Sequence, residues 1–168
     1  MPQISVVVGN PSPNSRTSML AQAVACAVLP DCDAYVIDLA NYSADMFNWD
    51  NAELALLNQK VAESDIVIVA SPTYKAAYTG LLKAFLDRYD HNGLAGVTAI
   101  PVMTGGSPAH SLAPDMTLRP LLVELGASVP TRSLYFLTSQ MEDMDAIVAE
   151  WAQSNRLALR AVLREETI

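Results

Sequence analysis

The sequence predicts an α/β fold, a five-stranded parallel sheet with helices on both faces. Three observations lead there. Strand-like and helix-like segments alternate along the whole chain. The strand-like runs, such as Val6-Val7-Val8 and Ile66-Val67-Ile68-Val69-Ala70, are apolar without alternation, as strands covered on both sides are. The length, 168 residues, suits a single domain over 1–168, and an apolar content of 51% is enough to build its interior.

Ile4 to Val8 is the first buried strand. Met19, Leu20, Ala23, Val24, Ala27 and Val28 recur at helical spacing and define a helix from about Ser15 to Leu29, ended by Pro30. Ala34 to Leu39 is the second strand. A loop follows from Asn41 to Asp50, carrying Tyr42, Phe47 and Trp49. Ala52 to Ala62 forms the second helix, with Leu54, Leu57 and Val61 on one face. Ile66 to Ala70 is the third strand, and Leu81, Leu82, Phe85, Leu86 and Tyr89 mark the third helix. Val97 to Met103 is the fourth strand. A fourth helix spans roughly Pro108 to Leu125, a fifth strand lies within Ser128 to Leu137, and one closing helix runs from Asp143 to Leu163. Right-handed crossovers leave few topologies, and five strands fit the flavodoxin-like order 2-1-3-4-5.

Composition narrows the function. Charged residues make up only 17%, yet the net charge is -8. That balance argues against nucleic acid or an anionic membrane as a partner. It leaves room for an anionic ligand in a local cradle. Cys26 and Cys32 lack metal-type spacing. Cys26 lies among Ala and Val and reads as a packed, small apolar residue. No disulfide is expected without a secretory signal. No apolar run approaches the roughly 20 residues that cross a bilayer. A soluble cytoplasmic protein is expected.

In an open α/β sheet, ligands bind outside the carboxyl ends of the strands, where the strand order reverses. Three loops should meet there. Gly9 to Ser18 ends in Ser15-Arg16-Thr17-Ser18, at a helix N-terminus whose free N–H groups suit a phosphate. Its glycine spacing is not the dinucleotide fingerprint, and no Gly-Lys-Ser/Thr closes it as a nucleotide-binding P-loop. Ser71 to Tyr78 presents Tyr74 and Lys75 at the edge of a pocket. Thr104 to Ser107 carries Gly105-Gly106, which let backbone approach a flat ring. Each loop alone has a plainer reading: Ser15, Thr17 and Ser18 as helix caps, Pro72 as a turn residue, the glycines as a bare connection. Their coincidence at one edge points to a planar heterocycle bearing one phosphate. His110 reads as a surface or hydrogen-bonded residue and Asp115 as a solvated helix residue. His91 sits in a loop. No Ser-His-Asp arrangement or nucleophile elbow is legible.

These motifs resemble those of the NADPH-dependent FMN reductases. Gly9-Asn10-Pro11 with Ser15-Arg16-Thr17-Ser18 is similar to that family's first loop. Ser71-Pro72-Thr73-Tyr74-Lys75-Ala76-Ala77-Tyr78-Thr79-Gly80 resembles its second motif. Thr104-Gly105-Gly106-Ser107-Pro108-Ala109-His110, continuing to Leu118-Arg119-Pro120-Leu121-Leu122, resembles its third. The nearest branch is the reductases that feed two-component alkanesulfonate monooxygenases. The resemblance implies FMN, with Asn10, Pro11, Ser15, Arg16, Thr17 and Ser18 at its phosphate end. It places Pro72, Thr73, Tyr74 and Lys75 against the ring, with Thr104, Gly105 and Gly106 behind it. It implies hydride transfer from NADPH or NADH, with no general base named, because the flavin is the electron carrier. It further implies a homodimer or homotetramer and a flavin-dependent monooxygenase as partner. Two other readings remain: a reductase of quinones, azo dyes or metal oxyanions that keeps its FMN, and a flavodoxin-type electron carrier.

Two details carry separate expectations. Pro120 has no N–H, so the carbonyl of Met116 loses its partner and a bulge or kink is predicted near Met116. In the sulfonate-type reductases the matching helix resembles one with a π-type insertion at a subunit contact, and Met116 stands at that position here. The Asn41 to Asp50 loop either anchors the second helix, the favoured reading, or covers a neighbouring subunit's flavin.

Overall fold

Each central strand feeds two cores at once, because alternate side chains leave a strand on opposite sides. Val7, Val67, Val69 and Met103 join Leu54, Leu57, Leu82, Phe85 and Leu122 on one side. Val6, Val8, Ile68, Ala70 and Val102 join Leu20, Val24, Val148 and Trp151 on the other. Two buried faces explain why the strand sequences show no polar alternation.

The computed structural model describes residues 2–30 and 33–163, so Cys32 lies outside the described residues. The strands are β1 (Ile4–Val8), β2 (Tyr35–Asp38), β3 (Ile66–Pro72), β4 (Thr98–Gly105) and β5 (Leu134–Leu137), all parallel, in the expected order β2-β1-β3-β4-β5. Register brings the strand ends level at the carboxyl edge. Val8 pairs with Asp38 and Ala70, Pro72 with Thr104, and Gly105 with Leu137.

The first three helices are α1 (Arg16–Val28), α2 (Ala52–Ala62) and α3 (Gly80–Leu86). Each opens on a side-chain cap: Ser15 accepts from the Ser18 amide, Asn51 from Leu54, and Thr79 from Leu82. Thr79 also donates its hydroxyl to the Gly9 carbonyl, which ties α3 to the end of β1. The third helix stops at Leu86, short of Tyr89.

Two predicted helices are broken. The fourth becomes a 3-10 turn at Pro108–His110, a π-helical turn at Pro114–Leu118, and α4 (Arg119–Glu124). The Arg119 amide reaches back five residues to the Pro114 carbonyl. The bulge therefore falls where the missing Pro120 N–H leads one to expect it. The closing helix is α5 (Met144–Ser154) followed by α6 (Arg156–Leu163), parted at Asn155. Asn155 is buried. Its Oδ1 accepts from the Arg132 amide at 2.8 Å, and its Nδ2 donates to the Trp151 carbonyl at 2.8 Å. A buried Asn held this way competes with the helical ladder.

Two smaller expectations are corrected. Cys26 is exposed, because the buried stripe of α1 runs through Leu20, Ala21, Val24, Ala25 and Val28 and leaves it on the solvent side. Tyr42 packs against the core, but Phe47 and Trp49 do not anchor the loop before α2. Phe47 is 76% exposed and Trp49 60%, while the neighbouring Met46 fills the core. Arg88 braces the loop from outside, lying 5.4 Å from the Trp49 ring centre and donating to the Asn48 and Trp49 carbonyls. Among the described residues, no helix is long and apolar enough to cross a membrane.

Candidate functional site

The loop between β1 and α1 is shaped by its own side chains and by Asp38 of β2. Asn10 Oδ1 accepts from the Ser12 amide at 2.9 Å, and Asn10 Nδ2 donates to Thr17 Oγ1 at 3.1 Å. Asn14 adopts φ 51° and gives its amide to Asp38 at 3.0 Å, at the end of β2. Asn tolerates that left-handed conformation better than most residues do. The loop thus curls around the first turn of α1. Ser15 caps Ser18 at 3.2 Å, and the Ser15 carbonyl takes the Met19 amide. The Arg16 and Thr17 amides have no acceptor among the described residues. Two free amides, the Ser15 hydroxyl and the exposed Arg16 guanidinium can together take a dianion.

The loop after β3 folds into a tight reverse turn. Tyr74 and Ala77 exchange backbone hydrogen bonds at 2.8 and 3.1 Å. Lys75 and Ala76 sit at φ 50° and 64°. Two successive non-glycine residues in the left-handed region store strain of about 1 kcal/mol or more each. The Thr73 amide donates to the Thr104 carbonyl at 2.7 Å, which joins this loop to the one after β4. The Thr73 hydroxyl is buried with no partner among the described residues. Thr17 and Thr104 share a buried hydroxyl contact at 2.9 Å, which joins the first loop to the third.

These three loops enclose a cavity of about 430 Å³. Of the residues singled out from the sequence, Asn10, Ser15, Arg16, Thr17, Pro72, Thr73, Tyr74, Thr104, Gly105 and Gly106 line it. Pro11, Ser18 and Lys75 are not brought to its wall. Ser18 is buried behind the first turn of α1, its amide given to Ser15 and its hydroxyl accepting from Gln22 at 3.1 Å. Lys75 occupies the tip of the reverse turn, exposed beyond the cavity. Ser12 and Thr138 line the cavity and were not foreseen. Thr138 follows β5, so the rule that ligands meet strand carboxyl ends would have found it had it been applied to the last strand.

Residues read as bystanders are placed as follows. His110 and His91 are exposed. Asp115 is more than a solvated residue. Partial burial works to raise its pKa. The Ser133 hydroxyl at 2.7 Å and Arg119 at 2.9 Å outweigh that, and they hold the carboxyl below its ordinary range. Arg119 also donates to the Val129 and Thr131 carbonyls, so this cluster staples the π-turn to the segment before β5. A larger cavity, about 590 Å³, lies at the opposite edge of the sheet. The Asp65 carboxylate there is engaged by the Gln3 amide, and the lining runs to Leu163, the last described residue.

The family model described as NADPH-dependent FMN reductase matches residues 2–149. The chain belongs to that family. An FMN reductase (NADPH) of Escherichia coli is 32% identical over 145 residues, covering 84% of this chain and 76% of that protein. An NADH-dependent FMN reductase, SfnF, of Pseudomonas putida is 34% identical, covering 79% of this chain and 76% of its own length. Among solved structures, the apo form of an NADH:FMN oxidoreductase, EMOB, superposes with a TM-score of 0.84 at 36% identity, over 94% of this chain and 90% of that one. NAD(P)H-dependent reduction of FMN, the activity expected from the motifs, is thus the activity named for this family of oxidoreductases. A Bacillus anthracis azoreductase, at 15% identity and a TM-score of 0.58, shares the fold alone.

Proposed function

We propose that the cavity between the three loops is the FMN site of an NAD(P)H-dependent FMN reductase. The observation that carries this is that one cavity is lined both by the first turn of α1 and by the loops after β3 and β4. At one end, free amides, a hydroxyl and a guanidinium converge, which fits a phosphate. From the other loops, Pro72 and Gly106 line the cavity, and a Cβ placed on Gly106 would meet nothing within 4 Å, which leaves room for a flat ring. The orphaned Thr73 hydroxyl in the lining suits a polar edge of a bound heterocycle.

In this reading Arg16, Ser15 and the first-turn amides of α1 hold the phosphate. Thr17 acts indirectly, because its hydroxyl is taken by Asn10 and Thr104. Tyr74, 52% exposed, stands at the rim where a nicotinamide would approach. FMN, when bound, supplies the ring that accepts hydride from NAD(P)H; the protein supplies position and excludes water. No side chain of the cavity wall is placed as a general base.

Delivery of reduced flavin to a partner monooxygenase rests on the resemblance to the sulfonate-system reductases. Self-association is supported by Leu112, Met116 and Val123, which are exposed along the π-turn and α4. Light scattering on Met116→Glu tests it: a shift to monomer is expected, and an unchanged mass removes this face.

The deciding assay follows NADPH and NADH oxidation with and without added FMN, after the flavin content of the purified protein is measured. Oxidation that saturates with added FMN is the expected result. Absence of NAD(P)H oxidation with FMN present overturns the enzyme reading in favour of a carrier. Copurified flavin that turns over quinones without added FMN overturns the free-flavin reading.

A further inference from the structure

We propose that Tyr135 is a positioning residue for the flavin site, clamping the loop that carries Gly105 and Gly106 through a hydrogen bond to the Ser107 carbonyl. The proposal rests on the reading of this cavity as the FMN site. Tyr135 lies on β5, level with Met103 of β4. Its hydroxyl donates to Ser107 at 2.7 Å. On the way it occupies the place where Gly105 would carry a side chain: a Cβ there would lie 1.9 Å from the hydroxyl and 2.6 Å from Cζ. The two glycines therefore do different jobs. Gly105 is a glycine because Tyr135 needs the space behind the loop. Gly106 is the one with open space, and it is free to meet a ligand.

The loop is held at two points. Its near end is fixed at Thr104, through the Thr17 hydroxyl and the Thr73 amide. Its far end is fixed at Ser107 by Tyr135. Ser107 in turn caps the next turn, accepting from the Ala109 amide at 3.2 Å. Gly105 ends β4 in register with Leu137, so Gly106 is the residue left between the strand and the Ser107 clamp. Without the far clamp the backbone of Gly106 and Ser107 would sample orientations that no longer form the cavity wall, and binding would be weakened by the fraction of time spent in them. The Tyr135 ring also packs on the core, so the hydroxyl must be separated from the ring. Tyr135→Phe does that.

The test measures FMN affinity by flavin fluorescence, visible circular dichroism of bound FMN, and amide exchange over 105–109 in the free protein. For Tyr135→Phe, an increase in Kd of about tenfold is expected, as for one lost hydrogen bond. A changed flavin dichroism and faster exchange confined to that loop should accompany it. Val148→Ala, in the core on the other side of the sheet, should lower the melting temperature and leave FMN affinity at the wild-type value. In a Gly105→Ala background, where the hydroxyl is already displaced, Tyr135→Phe should weaken FMN no further. Wild-type FMN affinity in Tyr135→Phe overturns the proposal, whatever the exchange shows. Additive losses in the double variant overturn the link to Gly105. Failure of the underlying reading looks different: the wild-type protein itself would not bind FMN, while the exchange over 105–109 would still respond to Tyr135→Phe.

Discussion

The two ends of the cavity differ in how far along the chain their bonds reach. Around α1, Asn10 bonds Ser12 and Thr17, and Ser15 bonds Ser18, none of them more than seven residues apart. At the glycine end, Thr104 is held by Thr17 across 87 residues, and Ser107 by Tyr135 across 28. The first end is mostly local, tied to the sheet by the Asn14 amide on Asp38, 24 residues away, and by Thr17 on Thr104. The second exists only once β1, β3, β4 and β5 lie side by side. A local cradle keeps donors free because its shape costs few of them. A loop without side chains must borrow its rigidity from neighbours.

A substitution beneath the first loop, where β1 meets α3, should have the largest effect. A Cβ on Gly9 would lie 2.5 Å from the Leu82 Cβ and 3.3 Å from its backbone Cα. Gly9→Ala should force α3 away from β1 and cost about 3 kcal/mol of stability, read from urea unfolding. An unchanged urea midpoint would mean that α3 is free to shift. Arg16→Ala should act on one end alone. FMN binding should weaken by about 2 kcal/mol with the melting temperature held. Equal FMN affinity in the variant would take Arg16 out of the site.

Thr17→Val removes the link between the ends and leaves Asn10 Nδ2 and the Thr104 hydroxyl without a partner. About 1.5 kcal/mol of stability should go, with FMN affinity falling alongside it. A loss of affinity without a loss of stability would instead place the Thr17 hydroxyl on the ligand. The smallest effect is expected away from the cavity, at Asp115. Its folded pKa is depressed, so its contribution is present above the ordinary value of 3.8 and is lost as pH falls through the folded value. The side chain is 42% exposed, and solvent screening keeps the contribution under about 1 kcal/mol. Asp115→Asn should flatten the acid limb of stability below about pH 4. An acid limb equal to the wild type's would show that the Arg119 staple holds without the charge.

Legibility followed the same division. The apolar runs at Val6 and Ile66 identified buried parallel strands because both faces are covered, and the strand order came from chain alternation and handedness. Pro120 announced a bulge near Met116, since a missing N–H is a property of the residue itself, and the resemblance supplied its π type. Asn155 did not announce the break between α5 and α6. Its effect comes from the Arg132 amide, which the fold brings to it from 23 residues away. Phe47 and Trp49 misled for a related reason: hydrophobicity says what a residue tolerates, and Met46 took the buried place instead. Ser18 was drawn into the site by its motif, yet its hydroxyl is on the inner side of α1.

By itself the sequence determined the α/β class, the three strand-end loops, and the Ser15 cap that opens α1 beside Arg16, because periodicity, caps and proline act over a few residues. Only the tertiary structure decided how the two glycines divide their work. Gly105 and Gly106 are indistinguishable as letters. What separates them is Tyr135, delivered by a different strand, whose hydroxyl fills the space behind one and leaves the other open. Steric exclusion of that kind depends on which atoms the fold brings within a few ångströms, and that is not a property of any short stretch of chain.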